Sequence, residues 1–293
     1  MKKKTALVLS GGGARGIAHI GVIEELEKQG FEITSIAGTS MGALVGGVYA
    51  LGKLREYKEW LLTLDKFDVF RLVDFTFSGR GLVKGDKVLN RMKEFISDKH
   101  IEDLDIPFSA VAVDLISKKE VVFREGSIYD AIRASISIPS VFTPVKKDDA
   151  LLVDGGVLNN IPVNHVKRTR DDLLVAVDVN ADVPLEELQE TKEQREEKQN
   201  IYLRKLEEFK EQLSKILPGN DDSEMGYFDL LNRTISLMTY TIARNNMEKD
   251  PPDILVEISR EAAGTYDFFM AEELVERGRL AARETLKEFR QRK

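Results

Sequence analysis

Two short apolar runs, each ending in a glycine-flanked turn, constrain this chain more than any other feature. The first, Thr5-Ala6-Leu7-Val8-Leu9-Ser10, runs directly into Gly11-Gly12-Gly13-Ala14-Arg15-Gly16. The second, Ile33–Ala37, runs into Gly38-Thr39-Ser40-Met41-Gly42. Between them Ile17, Ile20, Val22, Ile23 and Leu26 recur at roughly helical spacing, with Gly30 as a stop. A helix of small residues follows the second turn to about Leu51. Strand, loop, helix, strand, turn, helix is the opening of an α/β sheet with helices on both faces.

The same reading predicts strands at 108–115, 120–123, 151–153, 173–179 and 254–258. It predicts helices near 86–97, 127–136, 226–247 and 268–291. A length of 293 residues suits one large α/β domain or two small ones, and the chain reads as a single domain over 1–293. Residues 185–216 stand apart: they are dense in charge and sparse in apolar positions, and read as an exposed helical excursion ending at Pro218-Gly219. Such a segment is first of all a solvated helix, with a lid or a partner-binding helix as the alternatives.

The formal net charge of −7 argues against broad nucleic-acid binding, which needs a basic surface to displace counterions. Cysteine is absent, so disulfides, thiolate-ligated zinc and a thiol nucleophile are excluded, and a cytoplasmic location fits. The basic start Met1-Lys2-Lys3-Lys4 precedes an apolar run too short for a signal peptide, and it reads as the approach to a buried strand. No stretch approaches the length of a membrane-spanning helix, so any membrane contact is expected to be peripheral.

Gly38-x-Ser40-x-Gly42 fits a nucleophile elbow, in which a serine sits on a tight strand-to-helix turn and its hydroxyl projects above the sheet. The helix that follows offers the Met41 N–H and a positive dipole end to a developing oxyanion. Gly11-x-Gly13-x-x-Gly16 has two readings. It matches a dinucleotide-binding fingerprint, but the acidic residue that should end the second strand is missing, since Glu32 precedes that strand. Alternatively the consecutive glycines Gly11, Gly12 and Gly13 present bare N–H groups to a substrate carbonyl, with Arg15 adding charge or holding the loop in shape.

A serine nucleophile needs a proton acceptor. His19 reads as a helix residue bonded within the fold, and His100 as solvent-exposed in Ser97-Asp98-Lys99-His100. His165 would complete the order Ser40, Asp154, His165 of an α/β-hydrolase triad. Asp154 is the better candidate: it caps the apolar strand Leu151-Leu152-Val153 and precedes Gly155-Gly156, which let another backbone pass close. The same dipeptide also suits a plain hairpin turn. A carboxylate with an ordinary pKa of ~3.9 is a weak base, and partial burial would raise it. Such a pair handles esters and thioesters better than amides, whose amine leaving group needs a stronger proton donor.

Taken together, Gly11–Gly16, Gly38–Gly42 and Asp154-Gly155-Gly156 resemble the patatin-like phospholipase family. The stretch Arg133-Ala134-Ser135-Ile136-Ser137-Ile138-Pro139-Ser140-Val141-Phe142-Thr143-Pro144 and the tripeptide Asn160-Ile161-Pro162 fit as well. The resemblance covers about residues 5–180. It implies a three-layer α/β/α fold with a mostly parallel central sheet. It also implies a Ser-Asp dyad of Ser40 and Asp154, an oxyanion loop of Gly11, Gly12, Gly13 and Arg15, and hydrolysis of phospholipids, lysophospholipids or other acyl lipids without cofactor or metal. Acyl transfer on the same elbow, and a non-catalytic nucleotide- or lipid-binding module, are the alternatives. Phe67, Val69, Phe70, Leu72, Val73, Phe75 and Phe77 form an aromatic-rich stretch between helices, read as core packing, an acyl pocket or a bilayer contact. The amphipathic stretch 274–289, with its arginines, reads as a packed helix or a dock for anionic lipid.

Overall fold

The computed structural model describes residues 2–73, 86–139, 141–185, 188 and 227–292. The chain divides into two compact units, residues 1–185 with 236–293 and residues 186–235. Of the second, residues 188 and 227–235 are described, the latter helical. The charged excursion expected over 185–216 therefore lies outside the described residues, apart from 185 and 188, as do Phe75 and Phe77. The fold and site below belong to the first unit.

Among the described residues eight strands form one mixed sheet: β1 (Lys3–Leu9), β2 (Phe31–Thr39), β3 (Phe108–Asp114), β4 (Lys119–Phe123), β5 (Val145–Lys147), β6 (Ala150–Asp154), β7 (Leu173–Ala181) and β8 (Ile254–Ser259). Their order is β5-β6-β3-β2-β1-β7-β8, with β4 also paired to β3. Strands β3, β2, β1, β7 and β8 run parallel, and the β4, β5 and β6 pairings are antiparallel. The predicted α/β class with a mostly parallel sheet is what the chain adopts.

Among the described residues the helices are α1 (Ala18–Lys28), α2 (Met41–Ala50), α3 (Leu54–Thr63), α4 (Lys66–Val73), α5 (Asp86–Lys93), α6 (Ile128–Ser135), α7 (Tyr227–Lys249) and α8 (Ala271–Gln291). The aromatic-rich stretch read as lying between helices is in fact partly helical, since α4 covers residues 66–73. No helix is long and apolar enough to cross a membrane, among the described residues.

Strand alternation sorts the core onto two faces. Leu7 and Leu9 of β1 join the larger cluster with α1, α2 and α8, whereas Ala6 and Val8 join a smaller one with Ile161, Val163, Val166 and Ala243 of α7. Burying side chains such as Leu274 and Leu286 of α8, both fully inaccessible, contributes roughly 2 kcal/mol each. Helices α1 and α8 approach so closely that a β-carbon on Gly21 would lie 1.9 Å from the Val275 carbonyl oxygen, and one on Gly278 1.9 Å from that of Ala18. Arg279 of α8 pairs with Glu24 of α1 at 2.6 Å, and Arg283 reaches the buried Glu25 at 3.5 Å. The C-terminal helix thus turns these arginines onto α1, as a packed helix does.

Strand β3 decides where the site forms. One of its edges is taken by β4 along Ala110–Asp114. The other edge is shared. Strand β2 pairs with its first half and ends with Thr39 opposite Val111. Strand β6 arrives from the opposite direction and ends with Asp154 opposite Ala112. The ends of β2 and β6 therefore meet head to head, one register step apart.

Candidate active site

Ser40 follows β2 and opens α2 with φ 54° and ψ −123°, a backbone conformation costly for a residue with a β-carbon. The turn is tight on both sides. A β-carbon on Gly38 would lie 2.5 Å from the Ala43 nitrogen, and one on Gly42 2.2 Å from the Leu9 carbonyl oxygen. Only glycine fits either place without moving a neighbouring backbone. The Ser40 N–H donates to Ser135 Oγ at 2.8 Å, and that hydroxyl donates to the Val111 carbonyl at 2.6 Å. Ser135, quoted in the sequence only as part of a longer stretch, therefore ties the elbow to β3.

Asp154 ends β6 and is 6% exposed. Its Oδ1 accepts the Gly156 N–H at 2.7 Å. Gly155 lies against β3, where a β-carbon would sit 2.3 Å from the Val111 carbonyl oxygen. The plain hairpin reading of Asp-Gly does not hold, because a 3-10 turn, not an antiparallel strand, follows. Burial lifts the Asp154 carboxyl from 3.8 to about 6, against the opposing pull of the Ser40 hydroxyl and the Gly156 N–H. Among the described residues Oδ2 is sealed and accepts no hydrogen bond, although the Ser40 hydroxyl is close enough to favour the charged carboxylate. Ser40 and Asp154 are neighbours short of full hydrogen-bond alignment, as is common in sites without substrate.

The glycine loop sits beside them. A β-carbon on Gly11 would lie 3.0 Å from Ser40 Cβ. Gly11 corrects the sequence reading, however: its N–H is already donated to the Asn160 carbonyl at 3.2 Å. Its own carbonyl accepts from Asn180 Nδ2 at 2.7 Å. Gly11 is the anchor of the loop, and its N–H is not available to a ligand. The N–H groups of Gly12, Gly13 and Met41 have no acceptor among the described residues. Arg15 turns away from the serine and donates to Val179 O, Ala263 O and Asn180 Oδ1 at 3.1, 2.8 and 2.8 Å. Of its two sequence readings, holding the loop in shape is the one its contacts support. Asn180 and Asn160 clamp this loop; Asn160 belongs to the Asn160-Ile161-Pro162 tripeptide quoted from the sequence, whereas nothing local marks Asn180.

The histidines lie elsewhere. His19 is buried and bonds Ser10 O through Nε2 at 2.8 Å, and burial lowers its pKa to about 4, so it stays neutral. His100 is exposed beside Glu102. His165 Nε2 pairs with Glu120 at 2.5 Å, and its Nδ1 faces Arg124 at 3.5 Å. The triad order Ser40, Asp154, His165 thus has no counterpart in the Asp154 contacts.

An apolar cavity of about 90 Å³ opens at Ser40. Gly13, Met41, Leu44, Tyr57, Leu61 and Val69 are among the residues that line it. Leu72 lines it as well, so the aromatic-rich stretch contributes to this wall, whereas Phe67 points outward at 48% exposure.

Comparison with known proteins places the chain in a family. Residues 7–167 match the model of the patatin-like phospholipase family. An uncharacterized NTE family protein of Mycobacterium bovis is 32% identical over 98% of this chain and 92% of its own length. A further uncharacterized NTE family protein, from Mycobacterium tuberculosis, is 37% identical over 60% of this chain and 30% of its own. Patatin-like phospholipase domain-containing protein 6 of Mus musculus is 32% identical over 60% of this chain and 13% of its own length. On the family match and the near full-length relative, this chain belongs to the patatin-like phospholipase family.

Proposed function

We propose that the protein is a serine hydrolase of fatty-acyl lipid esters, phospholipids and lysophospholipids among them, working through Ser40 and Asp154. The observation that carries the reading is the head-to-head meeting of β2 and β6 on one edge of β3, which sets a strained serine beside a buried carboxylate. The apolar cavity at Ser40 suits an acyl chain and offers little to a charged or sugar-like substrate.

In this mechanism the acyl carbon approaches Ser40 Oγ with the chain in the cavity. Oγ attacks the carbonyl carbon as its proton passes to Asp154 Oδ2. The carbonyl electrons move onto oxygen, and N–H groups from Gly12, Gly13 and Met41 receive the oxyanion. When the tetrahedral intermediate collapses, the bond to the alcohol breaks and the alcohol takes the proton from Asp154. Water then attacks the Ser40 ester, losing its proton to Asp154, and the serine leaves with that proton as the fatty acid departs. A carboxyl near pKa 6 is a better match to this shuttle than one at 3.8.

The test uses p-nitrophenyl butyrate and a lysophosphatidylcholine with wild type, Ser40→Ala, Asp154→Asn and His165→Ala. The two dyad variants are expected to lose at least about a thousandfold in kcat, and His165→Ala to keep most of its activity. Full turnover by folded Ser40→Ala would refute the reading. Loss of all chemistry in folded His165→Ala would point to the triad instead.

A further inference from the structure

Buried tyrosines ordinarily find a partner for the hydroxyl. Tyr129 follows that rule and donates to the Ile96 carbonyl at 2.9 Å. Tyr57, on α3, does not. It is 1% exposed and lines the cavity that opens at Ser40, and burial alone raises its pKa, so the hydroxyl keeps its proton. No hydrogen bond to it exists among the described residues. The unpartnered polar side-chain atoms sealed from solvent there are His19 Nδ1, Asp154 Oδ2 and Asn159 Oδ1. The Tyr57 oxygen is not one of them, and the residue lines the cavity. Trp60, 5.8 Å away between ring centroids, packs beside the ring.

A plain hydrocarbon chain filling this cavity would displace water from the Tyr57 hydroxyl and leave it unpaired, a penalty that falls on the wrong ligand. An acyl chain with an oxygen at the matching depth would pair with it. We propose that Tyr57 is a specificity determinant of the acyl pocket and that the preferred substrates are esters of oxygenated fatty acids, whose hydroxyl or oxo group hydrogen-bonds the Tyr57 hydroxyl. This rests on the reading of Ser40 as nucleophile and extends it from acyl esters in general to one class of acyl chain.

The experiment measures kcat/KM for p-nitrophenyl decanoate and for three analogues carrying one hydroxyl near the carboxyl, mid-chain or at the terminal carbon. Wild type and Tyr57→Phe are compared, with Ser40→Ala as the blank. In wild type at least one hydroxylated ester should exceed decanoate by about tenfold or more. In Tyr57→Phe that ratio should collapse toward one, the hydroxylated ester losing and the plain ester gaining. A wild-type ratio near or below one for every analogue, as expected if a held water satisfies Tyr57, overturns the proposal. So does a preference that survives Tyr57→Phe. Hydrolysis that depends on Ser40 but shows no preference would sink this inference alone, whereas hydrolysis that persists in Ser40→Ala would sink the underlying reading.

Discussion

Replacing Asp154 by Asn should make the folded protein more stable at neutral pH while abolishing its chemistry. The carboxyl is 6% exposed, has one full hydrogen bond from Gly156 N–H, and is lifted by burial from 3.8 to about 6. At ~1.36 kcal/mol per pKa unit, keeping it charged in the fold costs about 3 kcal/mol. Asparagine removes that charge, retains an oxygen for the Gly156 N–H, and presents its amide N–H to the Ser40 hydroxyl. Between pH 3.8 and about 6 the folded wild type holds a proton that the unfolded chain has lost. Wild-type stability therefore falls, relative to the variant, as pH rises through that window, and the difference is fully developed above it. Other carboxyls titrate alike in both proteins and cancel. Denaturant unfolding of both proteins on either side of the window measures the difference, which should grow by up to about 3 kcal/mol toward high pH. In wild type kcat/KM for an ester should fall about tenfold per pH unit below about 6, because the base is then protonated. A stability difference that stays flat across the window would refute the argument, since Asp154 would not then be a desolvated carboxylate.

Two further outcomes follow from packing. Ser135→Ala strands the Ser40 N–H and the Val111 carbonyl that its hydroxyl bridges, and should cost about 2 kcal/mol and lower kcat more than it raises KM; steady-state kinetics with denaturant unfolding will tell. Gly278→Ala would press a β-carbon to within 1.9 Å of the Ala18 carbonyl and force α1 and α8 apart, at a cost of about 3 kcal/mol or more, and an unchanged unfolding midpoint would contradict that.

Local chemistry determined much of this from sequence alone. Short apolar runs marked β1, β2, β3 and β7 within a few residues of their ends, because strands in the middle of the sheet bury both faces. Gly38, Ser40 and Gly42 announced the elbow because a tight strand-to-helix turn leaves few residue types to choose from. The three-residue strand β5 is too short to stand out, and the helix α3 was not read although Leu54, Tyr57 and Leu61 recur along it at helical spacing. The site itself was a different matter. Asp154 was marked as a strand end, but its meeting with Ser40 depends on β2 and β6 dividing one edge of β3 between them, a register no local pattern encodes. The engagement of Gly11 by Asn160 and Asn180, the bridge at Ser135, the pairing of His165 with Glu120 and the unpartnered Tyr57 hydroxyl were decided there too. Each depends on what lies across space from a residue, and hydrogen bonding and desolvation respond to that neighbour, not to the next residue in the chain.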